Sequence, residues 1–284
     1  MAEGAIATPT VSVCIPVFNG EAYIGPAIRS VLEQTHGAFE LVVCDNASTD
    51  ATLAVVRGFE DVRIRVVESD SNIGAGANWN RCLSEARCDN MKILCADDVL
   101  LPEALERQLA VLQAPENRNV TIVCGRRYII DAAGVRRLTR GLSGEGRIAG
   151  RLAVRKVVRS GGNPIGESSS VLFRRSVALE AGGFAVDSPY VVDVDMWVRM
   201  LMRGDLYVLP GILSEYRVSG SSWSVGVANR QASDYREMIE AMRTDGRYGI
   251  SPFDARLGIT RSWLNAQLRR LFYARFASSG GSRP

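Results

Sequence analysis

The first half of the chain alternates short apolar runs with helical patterns, and this alternation constrains the fold more than any other feature. The apolar runs cover residues 11–17, 39–44, 62–67, 91–95 and 120–124. Between them, apolar residues recur at the three- and four-residue spacing of helices. Strands that alternate with helices predict an α/β fold with a mainly parallel sheet sandwiched by helices.

Three of these predicted strands are followed by polar residues. These polar residues are Asn19, Asp45, Asn46, Asp97 and Asp98. Parallel sheets bind ligands beyond the carboxyl ends of their strands, so we expect these side chains to converge on one edge. Adjacent carboxylates such as Asp97 and Asp98 repel unless a cation lies beside them, which is typical of Mg²⁺ or Mn²⁺ held with substrate phosphates. The alternative is that Asp98 only caps the following helix.

Three further motifs are weaker. Ser48 and Thr49 are predicted to cap a short helix, which leaves Asp45 to accept a hydrogen bond from a base or ribose. The Gly-Ala-Gly sequence at 74–76 has only the first two glycines of a dinucleotide fingerprint and does not follow the first strand. His36 is the only histidine and is predicted to lie at the surface.

The composition is that of a globular protein, with 46% hydrophobic and 23% charged residues among 284. The net charge of +3 gives no argument for nucleic acid as a partner. The six cysteines form no CxxC pair, which favours reduced, structural thiols and a cytoplasmic location. We expect no signal peptide and no membrane span, because no apolar run approaches about 20 residues.

The second half contains two basic regions. Residues 126–159 carry ten basic residues against two acids, which indicates either a solvated surface or a site for phosphate or a membrane. Near the C-terminus, four apolar residues fall on one face of a predicted helix: Leu264, Leu268, Leu271 and Phe272. Such a helix usually packs on its own domain, and a peripheral contact with an anionic membrane is the alternative.

Seven segments in order resemble the family 2 glycosyltransferases of the GT-A fold. They are VSVCIPVFNGEAYI, QTHGAFELVVCDNASTD, NIGAGANWNRCLSEA, ILCADDVLLPEALERQ, NPIGESSSVLFRRS, GGFAVDSPYVVDVDMWVRML and EYRVSGSS, within roughly residues 10–224. The resemblance implies an inverting transfer of a sugar from a nucleotide diphosphate sugar to an acceptor hydroxyl. It also implies a nucleotide-binding half (1–125), an acceptor and catalytic half (126–225) and a helical extension (226–284).

The resemblance implies roles for residues on the donor side. Pro16, Asn19 and Asp45 match the nucleotide pocket, with Asn46 beside them, and Asp45 matches the acid that binds uracil or thymine. The donor is therefore expected to be a UDP-sugar first and a dTDP-sugar second. Asp97, expected at the ribose or the metal's water shell, and Asp98, the expected ligand of Mn²⁺ or Mg²⁺, match the DxD pair.

On the acceptor side, Asp193 matches the general base. The remaining residues expected there are Glu167, Ser168, Ser169, Asp195 and Trp197. The acceptor is expected to be a saccharide or lipid-linked saccharide of surface polysaccharide synthesis.

Three positions depart from the family pattern. Cys95 stands where an acid is usual, Ser219 where a histidine is common, and Val192 where a glutamate often precedes the base. These departures leave open a non-catalytic subunit that binds nucleotide sugars. A sugar-phosphate nucleotidyltransferase is the other alternative, although the Gly- and Arg-rich loop expected after its first strand is absent.

Overall fold

The computed structural model describes residues 7–187, 189–220 and 226–276. Ten strands lie in this part of the chain: β1 (Val11–Val17), β2 (Phe39–Asp45), β3 (Ile64–Glu68), β4 (Asn90–Ile93), β5 (Val99–Leu100), β6 (Val120–Ile130), β7 (Arg136–Arg140), β8 (Gly146–Ile148), β9 (Val171–Arg174) and β10 (Asp205–Arg217). The described α-helices are α1 (Ile24–Leu32), α2 (Thr52–Arg57), α3 (Ala75–Glu85), α4 (Ala104–Gln113), α5 (Gly150–Ser160), α6 (Arg175–Glu180), α7 (Val192–Leu201), α8 (Gln231–Asp245) and α9 (Pro252–Phe276).

The strands form one sheet in the order β3-β2-β1-β4-β9-β6-β10-β5, with β7 beside β6 and β8 beside β10. The strands β1 to β4 pair in parallel, and so do β6 and β10. The strand β9 joins these two parallel groups by antiparallel pairing with β4 and β6. The predicted α/β fold with a mainly parallel sheet is therefore confirmed. The expected division at residues 125 and 126 falls inside β6.

Helices cover both faces of the sheet, and each face has its own apolar core. Along β1, Cys14 contributes to one core while Val13 and Ile15 contribute to the other, as expected for a strand buried on both faces. The helices α1, α2 and α4 pack on the Val13 side, and α3 and α5 to α9 contribute to the Cys14 side. This arrangement leaves the ends of the strands as the accessible edge.

The start of α2 differs from the sequence prediction. The helix begins at Thr52, and neither Ser48 nor Thr49 caps it. Instead, the Asp50 carboxylate accepts a hydrogen bond from the Thr52 N–H (3.0 Å), and Ser48 Oγ accepts one from the Asn19 N–H (2.9 Å). The prediction of a Ser or Thr cap is wrong because these side chains are used to join two loops.

The helix α9 packs through small residues rather than through its leucines. A Cβ atom at Gly258 would lie 2.3 Å from the Val158 carbonyl oxygen, so only glycine allows α9 to approach α5 this closely. Leu264 and Leu268 are exposed (47% and 65%), which contradicts the prediction that they pack on the domain, and the side chains of the other two predicted residues are outside the described set. No helix in the described ranges is long and apolar enough to cross a membrane.

Candidate active site

The carboxyl ends of β1 and β2 form one side of the candidate site. Asp45, the last residue of β2, is almost fully buried (1% exposed), and its Oδ2 accepts a hydrogen bond from the Ser48 N–H (3.0 Å). Its Oδ1 is buried and has no hydrogen-bond partner among the described residues. Pro16 lies next to it on β1, opposite Cys44. Asp45 thus has one acceptor oxygen available to a ligand.

Two asparagines shape the loops around Asp45. Asn19 has a positive φ of 52°, and its Oδ1 accepts a hydrogen bond from the Thr49 N–H (2.8 Å). Asn46 is buried and donates from Nδ2 to Asn72 Oδ1 (2.9 Å), while its Oδ1 accepts from the Ile73 N–H (2.9 Å). The Asn46 amide is therefore engaged in fixing the loop before α3.

The acidic pair after β4 combines a half-buried and a fully buried carboxylate. Asp98 has no exposed surface, and it accepts hydrogen bonds from the Arg217 N–H at Oδ1 (2.9 Å) and from Ser169 Oγ at Oδ2 (2.5 Å). Burial and the charge of Asp97 raise the pKa of Asp98 well above its usual range. The next helix, α4, begins at Ala104 without a side-chain cap, so the alternative role of Asp98 as a cap is excluded.

Arg217 connects the acidic pair to the rest of the sheet edge, and the sequence reasoning did not identify it. Its Nε donates to the Asp97 carbonyl oxygen (2.9 Å), and its Nη1 donates to the Asp131 carbonyl oxygen (3.1 Å). Its guanidinium carbon lies 4.5 Å from the centre of the Tyr23 ring. Arg217 belongs to the EYRVSGSS segment, where the sequence pattern singles out only Ser219.

The acidic pair fits a divalent cation of the Mg²⁺ or Mn²⁺ type. Within the described residues, no group of three or more acidic, cysteine or histidine side chains could hold a metal alone. One or two carboxylates completed by substrate phosphates and water are what Mg²⁺ prefers, and Asp97 and Asp98 supply that number. Burial raises the pKa of the Cys95 thiol well above its usual range, so Cys95 contributes no negative charge.

Asp193 lies in the first turn of α7 with a titration range suited to proton transfer. Its Oδ2 accepts a hydrogen bond from Asn163 Nδ2 (3.1 Å), and its Oδ1 accepts from the Val194 N–H (2.7 Å). Burial, followed by the negative charge of Glu167, raises the pKa of Asp193 to about 7. A carboxylate with this pKa can take up a proton near neutral pH.

Glu167 is held beside Asp193 by a buried arginine. Arg127 is 2% exposed and forms an ion pair with Glu167. The charge of Glu167 also contributes to the raised pKa of Asp98. Glu167 therefore acts electrostatically on both Asp98 and Asp193.

The turn Ser168–Ser170 joins Glu167 to β9 and is anchored by a buried lysine that the sequence reasoning missed. Ser168 and Ser169 are buried, and the Cys95 N–H donates to Ser169 Oγ (3.1 Å). Lys92 has no exposed surface and donates from Nζ to the carbonyl oxygens of Ser169 (3.1 Å) and Val171 (2.8 Å). Burial lowers the pKa of Lys92 to about 7.

Two residues expected on the acceptor side are engaged elsewhere. Trp197 has no exposed surface, and its Nε1 donates to the Gly166 carbonyl oxygen (3.0 Å). The indole therefore supports the loop before Glu167 from within the core. Asp195 forms an ion pair with Arg199 one turn later on α7 (2.6 Å).

Most basic residues of the segment 126–159 have acidic partners, whereas His36 contacts Thr10 and Ala38. Ion pairs of this segment join Arg127 to Glu167, Arg136 to Glu215, Arg137 to Asp131, Arg147 to Asp205, and both Arg155 and Arg159 to Asp254. The imidazole of His36 lies in a loop, 2.8 Å from Thr10 Oγ1. Six of the ten basic residues of this segment are thus engaged in structural ion pairs.

The sequence matches a known family and several related proteins. The model of the family described as Glycosyl transferase family 2 matches residues 12–181. The uncharacterized protein MT1568 of Mycobacterium tuberculosis is 32% identical over 275 residues, covering 92% of this chain and 83% of that protein. The Escherichia coli UDP-Glc:alpha-D-GlcNAc-diphosphoundecaprenol beta-1,3-glucosyltransferase WfgD is 28% identical over 216 residues, covering 75% of this chain and 79% of WfgD.

Solved structures share the fold at low sequence identity. A TarS fragment (1–349) of S. aureus in complex with UDP-GlcNAc has a TM-score of 0.67 at 18% identity, covering 83% of this chain and 66% of that one. The mannosyltransferase PcManGT of Pyrobaculum calidifontis, in complex with GDP-Man and Mn²⁺, has a TM-score of 0.64 at 20% identity, covering 98% and 77%. The match to a longer TarS chain spans 39% of that chain. These likenesses show the GT-A fold.

Proposed function

The chain belongs to glycosyl transferase family 2, and we propose that it is an inverting enzyme that moves a sugar from a nucleotide diphosphate sugar to an acceptor hydroxyl. The observation that carries this proposal is Asp193, a carboxylate with a pKa of about 7 in the same site as an acidic pair suited to a divalent cation. In a single displacement, the acceptor oxygen forms a bond to the anomeric carbon as the bond to the diphosphate breaks. Attack opposite the leaving group inverts the anomeric centre.

The donor is proposed to be a UDP-sugar first and a dTDP-sugar second. Uracil and thymine both present an imide N–H, which can donate to the unpartnered Oδ1 of Asp45. Pro16 and Asn19 lie on the adjoining strand and loop, where they would border the nucleotide. The UDP-GlcNAc bound to TarS and the UDP-Glc in the name of WfgD are consistent with this choice.

The acidic pair is proposed to hold Mn²⁺ or Mg²⁺ together with the donor diphosphate. Asp97 and Asp98 would supply carboxylate ligands, and the ion would stabilise the negative charge of the departing diphosphate. Arg217 and Ser169 hold Asp98 in place through its two oxygens. The Mn²⁺ bound with GDP-Man to PcManGT supports this assignment.

Asp193 is proposed to accept the proton of the acceptor hydroxyl. The Asn163 amide orients its Oδ2, and the negative charge of Glu167 favours proton uptake once the acceptor is bound. General-base catalysis of this kind contributes about 10²–10⁴-fold to the rate. The residue therefore carries the chemical step rather than donor binding.

The substitution Asp193→Asn tests this role, with Asp195→Asn as the matched control on the same helix. We expect Asp193→Asn to bind UDP with unchanged affinity, measured by calorimetry with Mn²⁺, and to lose sugar transfer from a UDP-sugar by about 10²–10⁴-fold. The control should retain transfer. Normal turnover by Asp193→Asn would contradict the assignment of the base. Absence of UDP binding by the unsubstituted protein, with Mn²⁺ or without it, would contradict the proposed donor.

The acceptor is proposed to be a lipid-linked saccharide of surface polysaccharide synthesis, reached at the inner face of a membrane. WfgD, as its name states, acts on a saccharide linked to diphosphoundecaprenol. The exposed face of α9 carries Trp263, Leu264 and Leu268 near Arg256 and Arg270, and no acid follows Asp254 in the sequence. An apolar face bordered by arginines binds anionic bilayers.

The membrane contact is tested by sedimentation with vesicles of phosphatidylglycerol and phosphatidylcholine. We expect binding to vesicles that contain phosphatidylglycerol and its loss in the double substitution Trp263→Ser and Leu268→Ser. The matched control is Val62→Ser, which replaces an exposed apolar side chain that does not belong to α9. Equal binding by the double variant and the unsubstituted protein would contradict a role for α9.

A further inference from the structure

The serine turn beside the acidic pair is held from inside the core by two buried side chains. Lys92 donates from Nζ to the carbonyl oxygens of Ser169 (3.1 Å) and Val171 (2.8 Å). Gln108 of α4 donates from Nε2 to the carbonyl oxygen of Ser170, which lies between them (3.1 Å). Neither Lys92 nor Gln108 has any exposed surface. Buried carbonyl groups require donors, so both side chains satisfy the backbone of the turn.

Burial is less favourable for Lys92 than for Gln108. An ammonium group loses far more hydration than a neutral amide, and burial lowers the pKa of Lys92 to about 7. Its hydrogen bonds within the described ranges go to neutral carbonyl groups, and none goes to a carboxylate that would offset the burial. The neutral Gln108 performs the same task at the neighbouring carbonyl group. Satisfying the backbone alone therefore does not explain a lysine at this position.

Ser169 connects Lys92 to the proposed metal ligand. Its Oγ donates to Asp98 Oδ2 (2.5 Å) and accepts a hydrogen bond from the Cys95 N–H (3.1 Å). Lys92 thus holds the carbonyl group of the same residue whose hydroxyl binds Asp98. The Arg217 N–H binds the other carboxylate oxygen, Oδ1 (2.9 Å). The position of Ser169 consequently decides where Oδ2 points.

The sheet gives the turn little support on the side of β4. The strands β4 and β9 pair only where Asn90 lies opposite Arg174 and Met91 lies opposite Phe173. Lys92 follows directly on β4, and its side chain continues the connection to the start of β9 where this backbone pairing stops. Because a charged donor forms stronger hydrogen bonds than a neutral one, a lysine restricts the turn more firmly than an amide would.

We propose that Lys92 is a positioning residue for the divalent cation, because it fixes Ser169 and thereby directs the Asp98 carboxylate toward the ion. Lys92 itself would contact neither the ion nor the nucleotide, since it has no exposed surface. Residues that orient metal ligands in this indirect way change the affinity for the metal by about 10- to 100-fold when they are replaced. The inference rests on the proposed function for the cation at Asp97 and Asp98, and it adds a residue that sets the affinity for this ion.

Calorimetric titration of UDP at a series of free Mn²⁺ concentrations tests this role in Lys92→Met, which removes the donor but keeps an unbranched side chain. We expect the dissociation constant of UDP without metal to stay unchanged. The Mn²⁺ concentration that gives half of the maximal gain in UDP affinity should rise by about tenfold. The matched control is Val157→Ala, which leaves a cavity in the core at α5 and lowers stability without changing the turn. It should keep the Mn²⁺ requirement of the unsubstituted protein.

A second variant shows whether Lys92 acts through Ser169. Ser169→Ala keeps the carbonyl group that Lys92 binds but removes the hydroxyl that binds Asp98, so it should also raise the Mn²⁺ requirement. The double variant should require no more Mn²⁺ than Ser169→Ala, because both changes break one chain of contacts.

Four outcomes would overturn the inference. Two of them are an unchanged Mn²⁺ requirement in Lys92→Met and additive losses in the double variant. A third is loss of UDP binding by Lys92→Met even without metal, which would show a purely structural role. If UDP binding by the unsubstituted protein does not respond to Mn²⁺, the proposed cation is wrong, and the role of Lys92 is wrong with it. The unsubstituted protein therefore separates a failure of the proposed function from a failure of this inference alone.

Discussion

Asp193 should make the folded protein less stable at alkaline pH, and removing its charge should therefore stabilise a catalytically inactive variant. The folded protein holds the Asp193 proton up to about pH 7, whereas the unfolded chain releases it near 3.8. The free energy of unfolding consequently falls as the pH rises between these values. This rise in pKa from 3.8 to about 7 corresponds to at most about 4 kcal/mol at pH 8.

Two effects reduce the gain expected from Asp193→Asn. The side chain is partly accessible to solvent, which screens its charge. Asn163 and Val194 donate to different oxygens of the carboxylate, and asparagine replaces one of these oxygens by an NH2 group, which cannot accept a hydrogen bond. We expect a net stabilisation of about 2 kcal/mol at pH 8, measured by urea unfolding, which disappears at pH 4. Asp195→Asn, which breaks a half-buried ion pair, should not stabilise the protein. A variant less stable than the unsubstituted protein at pH 8, or a gain of equal size at pH 4, would refute the reasoning.

Three further predictions concern charges placed by the fold. Glu167→Gln should move the acidic limb of the pH–activity profile to lower pH, because the charge of Glu167 helps to raise the pKa of Asp193; an unmoved limb would contradict this. Lys92→Met should change the free energy of unfolding more favourably at pH 6 than at pH 9, measured by urea unfolding of the variant and the unsubstituted protein. The reason is that the unfolded chain still binds a proton that buried Lys92 releases at about pH 7, so the unsubstituted protein gains stability as the pH rises. Asp254→Asn should lower the melting temperature more at pH 7 than at pH 2. Desolvation opposes ionisation of Asp254, but hydrogen bonds from Ser251 and two arginines hold the pKa of this carboxyl at about 2. Equal losses at both pH values would be evidence against this ion-pair network.

The sequence was sufficient to predict the sheet, and it selected several candidate site residues by their place at strand ends. Alternating apolar runs and helical patterns depend on local periodicity, and the structure confirms the resulting α/β fold. Asp45, Asp97 and Asp98 could be selected because each follows a strand whose end faces the ligand edge. The strand β6 shows the limit of this reasoning, since it continues to Ile130, beyond the predicted end at Cys124, by pairing with β10 and β7.

Contacts between distant segments could not be predicted in the same way. Lys92 interrupts an apolar run in the sequence, which gives no sign of its role. The structure shows that its Nζ donates to the carbonyl oxygens of Ser169 and Val171, next to the serine that binds Asp98. Trp197 falls in a motif of the acceptor side, yet its indole is closed off by Phe173 and Phe184 in the core. Each outcome depends on contacts between residues at least 13 positions apart in the sequence, which local periodicity cannot predict.

The helix α9 packs on the domain through one face and presents exposed apolar side chains on the other. Gly258, Ser262, Ala266 and Arg269 follow one another at spacings of four, four and three residues, so they share the face that packs on the domain. Trp263, Leu264 and Leu268 fall on the other side and are exposed. A helix that lies on a bilayer through its apolar face would therefore direct Arg269 toward Tyr190 and the proposed base.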